Sequence, residues 1–238
     1  MGLAEDSRAL APLLLLSGKR TMGGIDDLIP KSDDRWTTAT RRAQGIADLG
    51  LGGALKTYYT LYFPGGVIIL VTAGTVGGML AFGGGEADWP SFLLFGFFLA
   101  MLGAAIGGLI YNAKKIAPAA EMGRIDVLLS LEDEERKDIR RQILGKTPVD
   151  PEHLVVSQAA AVQLRKNLAT QLIWMSVLPL GFVPQAMRGA GFVSWLMAAG
   201  VLVMVIGAMY VVRDFQRAGR FLDRTAEPGA QGEYGPPE

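Results

Sequence analysis

Apolar residues crowd into four stretches of the chain, and none of the four contains Asp, Glu, Lys, Arg or His. They run from Phe63 to Phe82, Ser91 to Tyr111, about Ala169 to Met187, and Gly191 to Val212. A bilayer core about 30 Å thick takes roughly 20 helical residues at about 1.5 Å each. A core helix of a water-soluble protein usually keeps a polar stripe at helical spacing, and these stretches have none. The pattern predicts an all-α polytopic membrane protein with four transmembrane helices. The connections Gly83–Pro90 and Arg188–Ala190 are short, so the spans are expected to pair as two antiparallel hairpins.

Polar positions organise the rest. The expected divisions are an N-terminal region (1–62), the first hairpin (63–111), a central region (112–168), the second hairpin (169–212) and a tail (213–238). The central region predicts two helices forming a hairpin of its own. The first should start after Ser130, with Asp133 three residues on as a near capping box. Glu132 to Glu135 load its first turn and Arg140 and Arg141 its last, both favourable to the helix dipole. Glu132 with Arg136, and Asp133 with Lys137, stand at i,i+4. Gly145 fits the C-terminal cap and Pro148 forbids continuation. The second helix should begin at Asp150, with Pro151 in its first position, and run unbroken into the third span at least to Pro179. Leu131, Ile139, Ile143, Leu154, Val155 and Val162 would face each other or a partner. Upstream, Arg41–Leu61 is the best helix, suited to lie on a leaflet, although Gly50, Gly52 and Gly53 weaken it. The Pro/Gly-rich end from Ala226 predicts disorder. Leu13–Leu16 lacks a basic leader and a small-residue cleavage site, so no cleaved signal peptide is expected.

Charge sets an orientation. Of the 23 Lys and Arg residues, 22 fall before the first span, between the second and third, or after the fourth. Only Arg188 lies in a short connection. The distribution predicts both termini and the central region on the cytoplasmic side of a bacterial inner membrane. Lys114/Lys115, Arg165/Lys166 and Arg213/Arg217/Arg220 should border the inner leaflet and attract anionic lipid headgroups. Formal net charge is zero, which argues against a nucleic-acid partner.

Candidate chemistry is sparse. The chain has no cysteine and one histidine, His153, which excludes thiolate sites and a histidine-rich metal cluster. The acidic run Glu132–Glu135 matches no EF-hand spacing and reads as a solvated helix face. Gly145-Lys146-Thr147 imitates the end of a phosphate loop, but Arg140 stands where that motif needs glycine. Gly50-Leu51-Gly52 lacks the third glycine of a dinucleotide loop. No cofactor, metal site or catalytic residue is expected. Within the spans, Gln171 and Gln185 are the amides, and Pro179 and Pro184 are candidate kinks. Small residues carry the clearer signal. Gly96, Ala100, Ala104 and Gly108 recur every four residues, beside Gly103 and Gly107, and Gly74 and Gly78 match them in the first span. That spacing lets helix backbones approach in lipid, either within the chain or between copies.

The stretch LEDEERKDIRRQILGKTPVDPEHL, with its helix feeding a span, resembles a pattern in uncharacterised multi-pass membrane proteins of actinobacteria. The excess of Arg over Lys, 15 to 8, fits a GC-rich bacterium. The resemblance is confined to this stretch and the helix after it, and no activity or site residue follows from it. The expected function is a non-enzymatic accessory, scaffold or regulatory subunit of a membrane complex. Its partner would bind through Leu131, Ile139 and Ile143. The alternative is a homo-oligomeric channel or transporter subunit built on the small-residue ladder. An enzyme acting on lipid, with Asp126 as its base, ranks below both.

Overall fold

The computed structural model describes residues 32–82, 89–121, 126–187 and 191–226. The tail expected to be disordered, the Leu13–Leu16 segment, most of the first short connection and all of the second lie outside the described residues. The described chain is almost entirely helical, and four helices are long and apolar enough to cross a membrane. The elements are α1 (Ser32–Ala43), α2 (Leu51–Thr57), α3 (Phe63–Phe82), α4 (Trp89–Tyr111), α5 (Asp133–Ile143), α6 (Leu154–Met187) and α7 (Phe192–Ala226). One antiparallel bridge joins β1 (Ala47–Asp48) to β2 (Ala120–Glu121).

The spanning helices pack in sequential pairs. On α3 and α4, close contacts join Leu70 to Gly103, Gly74 to Gly96 and Gly78 to Phe92, so the two run in opposite directions. On α6 and α7, Gln158 meets Thr225, Arg165 meets Gly219 and Met175 meets Gly207, again in opposite directions. Gly108 of α4 lies against Ile173 of α6, which joins one pair to the other. The outward faces are densely apolar. Leu80 is 84% exposed, and Phe82 and Trp195 are nearly as open, a surface suited to lipid rather than water.

At the polar end, α1, α5, the first half of α6 and the last half of α7 assemble a helical head. Its core holds Ala39, Ala43, Val127, Leu131, Ile139, Ile143, Val156, Ala159, Ala160, Ala218 and Phe221. The alanine run of α6 lets neighbouring helices lie close. A second cluster sits at the junction of head and spans, around Leu51, Leu55, Tyr58, Tyr111, Ile116, Leu172, Ile173 and Phe215. Three hydroxyl bonds tie this junction. Tyr59 donates to the Leu172 carbonyl (2.6 Å), Tyr111 to the Ala54 carbonyl (2.7 Å), and Thr170 to Asn112 Oδ1 (3.0 Å).

Several local expectations need correction. Helix α5 is capped by Glu132, not Ser130, in a full capping box with Glu135. Ser130 instead closes the short 3-10 turn Val127–Ser130. Arg136 explains the shift. Its guanidinium donates to the carbonyls of Leu128, Leu129 and Leu131 and holds that turn closed before the helix begins. The ion pairs on α5 are i,i+3, joining Asp133 to Arg136, Glu134 to Lys137 and Asp138 to Arg141, rather than the i,i+4 pairs expected. Its end is as expected. Gly145 sits at φ +71°, and the Gly145 and Lys146 amides donate to the Gln142 and Arg141 carbonyls, a Schellman cap.

Helix α6 starts at Leu154 rather than Pro151, because residues 150–153 form a turn held by the Asp150 carboxylate. From there it runs continuously for 34 residues, through Pro179 and Pro184. The helix expected over Arg41–Leu61 is two helices. Positive φ at Gly45 and Gly50 breaks it, and the second piece continues through a π-helical turn, Tyr58–Tyr62, straight into α3. Leu51 and Leu55 are buried inside the chain, so this segment does not lie flat on a leaflet.

Candidate functional site

The small-residue ladder is used within the chain. A Cβ on Gly74 would stand 2.7 Å from the Gly96 Cα, and one on Gly96 would stand 2.5 Å from the Val71 carbonyl. Backbone therefore meets backbone at this crossing. Gly78 leaves room for the Phe92 ring, Gly103 for Leu70, and Gly108 for Ile173. Ala100 is fully buried. Gly107 differs, since nothing lies within 4 Å of its Cβ position. With Gly103, Ala104, Tyr62 and Tyr111 it lines a hollow of about 150 Å³.

Leu131, Ile139 and Ile143, expected as a partner surface, are 2%, 1% and 3% exposed. They pack into the core of the head and meet their own chain. The sequence pattern allows both outcomes, and burial selects the internal one.

The junction is organised by Arg165. Helix α6 carries it into a narrow space between Gly52 of α2 and Gly219 of α7, where an added Cβ would stand 2.8 Å and 3.1 Å from its guanidinium atoms respectively. Its guanidinium lies 4.7 Å over the Phe215 ring and pairs with Asp48. The other carboxylate oxygen of Asp48 accepts from the Gly50 and Leu51 amides, which caps α2. One carboxylate thus fixes the start of the first spanning helix and the third just ahead of its apolar stretch. The expectation that Arg165 faces lipid headgroups is corrected by this placement.

The second polar feature is a cleft of about 820 Å³ between the outer half of α7 and the loop after α5. Arg213, Arg217, Arg220 and Arg224 line one wall, and Lys146 and Thr147 the other. The arginines are spaced by four, three and four residues, which holds them within about 60° of one helix face at ~100° per residue. Among the described residues, no Asp or Glu lines the cleft. Arg213 follows directly on the charge-free stretch, so the cleft begins where the apolar surface of α7 ends. The sequence reading groups only Arg213, Arg217 and Arg220. The full spacing is visible there, but the facing loop at Lys146 lies far upstream and is brought across only by the fold.

The remaining candidates hold structural posts. Asp126, the potential lipid-facing base, accepts from the Leu128 amide (2.9 Å) and caps the 3-10 turn. His153 stacks on Trp36, with ring centroids 3.6 Å apart, and its Nδ1 lies 2.8 Å from Asp150. Asp150, Glu152 and His153 are close enough to share an ion. Yet Asp150 already serves His153 and the Glu152 amide, and that contact holds its carboxyl below the usual carboxylate range. Gly145-Lys146-Thr147 follows a helix end and forms one lip of the basic cleft. Gln171 and Gln185 are both exposed. No protein-family model, curated protein or solved structure matches this chain.

Proposed function

We propose that the chain is an integral protein of a bacterial inner membrane and works as a non-enzymatic accessory, scaffold or regulatory subunit. In this reading it is threaded as two hairpins, with both termini and the helical head on the cytoplasmic side. The charge asymmetry, 22 of 23 basic residues on one side, supports that orientation. Anionic headgroups of the inner leaflet are its expected lipid partners.

One observation carries the role. Helices α6 and α7 pass from the head into the spans without a break, and Asp48–Arg165 locks the first spanning helix to both. Head and spans are therefore one packed unit, built to relate events on the cytoplasmic face to the membrane. The channel alternative draws on the small-residue ladder, and most of that ladder is engaged inside the chain.

The test is purification of tagged protein from its native membrane in mild detergent, reading absolute mass and co-purifying proteins together. The expected result is a heteromeric particle with one partner in stoichiometric amount. A pure homo-oligomer would overturn the accessory reading and favour the channel alternative.

A further inference from the structure

We propose that the cleft between α7 and the 144–149 loop is a specific site for a phosphate-bearing polyanion. That anion is either the headgroup of an acidic phospholipid or a soluble phosphoanion. The inference deepens the reading above and rests on it in taking the head as the working face.

Four observations converge. First, Arg213, Arg217, Arg220 and Arg224 share one face of α7 and rise about 16 Å from the end of the span, at about 1.5 Å per residue. Lys146 faces them across the cleft. Second, neutralisation from within is minimal. Among the described residues, Arg217 meets Asp214 at 3.7 Å, while Arg213, Arg220, Arg224 and Lys146 have no ion pair. Like charges at i,i+3 and i,i+4 repel, so this face is electrostatically incomplete without a counter-anion. Third, the obvious internal acceptors are taken. The last carbonyls of α5, those of Arg140, Arg141 and Gln142, accept from the Leu144, Lys146 and Gly145 amides. Fourth, the site has volume. A cleft of about 820 Å³ admits a group with two or more phosphates, whereas a single carboxylate would leave most of the cations unmatched.

The residue type selects the ligand. Guanidinium forks bind phosphate oxygens in pairs, and the Thr147 hydroxyl adds a neutral donor at the rim. A ladder rising from the membrane surface suits a headgroup held upright in the cleft. A soluble phosphoanion would use the same donors from the aqueous side. This site differs from diffuse attraction to an acidic leaflet in being saturable and in depending on these arginines rather than on total charge.

The test uses the full chain in phosphatidylcholine nanodiscs. One arm titrates inorganic tripolyphosphate by calorimetry. The other adds diphosphatidylglycerol to the disc in steps and counts retained lipid by native mass spectrometry. The variants are Arg220→Gln/Arg224→Gln in the cleft and Lys114→Gln/Lys115→Gln outside it, with elution volume confirming that both fold. Saturable binding in at least one arm is expected, weakened at least 10-fold by the arginine pair and unchanged by the lysine pair. Binding confined to the first arm identifies a soluble anion, and binding confined to the second a lipid headgroup. No saturable binding in either arm, or equal losses in both variants, overturns the proposal. A chain that binds anion at the cleft but purifies without a protein partner overturns the accessory reading alone.

Discussion

Helix α7 is two helices in one. From Phe192 to Val212, large apolar side chains point outward, with Val203 68% exposed and Leu202 close to it. Beyond Val212 the pattern inverts. Phe215, Ala218, Gly219, Phe221 and Thr225 are buried, and the arginines and aspartates lie outside or along the cleft. The backbone does not change across the boundary, so the difference belongs to the surroundings. In lipid, an outward Leu costs nothing and an inward one gains little beyond packing. In water the same side chain must be covered. The inner half of α7 is therefore held by what it touches in the membrane plane, and the outer half by apolar burial.

That contrast can be broken at several points. The largest effect should come from the junction between the halves. Asp48→Leu strands the Arg165 guanidinium and is expected to cost roughly 3–5 kcal/mol, the range for breaking a buried pair from one side. Adding Arg165→Met should restore much of it. Thermal denaturation of detergent-purified protein reads both, and equal melting for single and double variants would reject the pairing. Next come the two halves themselves. Phe221→Ala should destabilise by about 3 kcal/mol through lost contacts and a residual cavity, whereas Leu202→Ala should change stability by less than about 0.5 kcal/mol. Comparable losses at both positions would mean that the span half of α7 is covered after all.

Where a span does have an interface, its chemistry should differ again. Gly96→Ala drives a methyl into the Val71 carbonyl and is expected to cost about 1–3 kcal/mol. Gly107→Ala meets open space and should be neutral or slightly stabilising. The smallest effect lies in the turn before α6. The Asp150 carboxyl is held below its ordinary value by His153, so its contribution is present above that value and is lost as pH falls below it. Protection of the Glu152 amide against hydrogen exchange, corrected for the intrinsic pH dependence of exchange, should fall as pH drops below the ordinary carboxylate range. Asp150→Asn should remove that pH step.

The spans are legible in the sequence because a long charge-free apolar run has few alternatives. The Gly145 cap is legible because positive φ selects glycine. The start of α5 escapes local rules for a specific reason. Ser130 satisfies the capping pattern, but Arg136 reaches back to three carbonyls and converts that segment into a 3-10 turn. Leu131, Ile139 and Ile143 read correctly as apolar, yet their pattern cannot choose between partner and core. What covers them comes from α1, α6 and α7, and two of these, α1 and α7, lie far from Ile139 in sequence, one on either side. Arg165 is misplaced by sequence reasoning because a cation beside a span ordinarily meets lipid. Its glycine neighbours, Gly52 and Gly219, belong to segments that only tertiary structure brings together. The arginine face of α7 is readable in part, and its opposing lip is not.

The unbroken passage of α7 out of the membrane has a mechanical consequence. A helix that neither kinks nor frays at the surface is a lever, and its fulcrum is the bilayer. The stretch from Arg213 to Ala226 extends about 21 Å at about 1.5 Å per residue. A tilt of about 10°, within the range that spans adopt as bilayer thickness changes, would swing the far end by about 4 Å. Helix α6 runs beside it and is tied to it at Gln158 and Arg165, so the head would swing with both. A change in membrane thickness would thereby be expressed as a change in the position of the head.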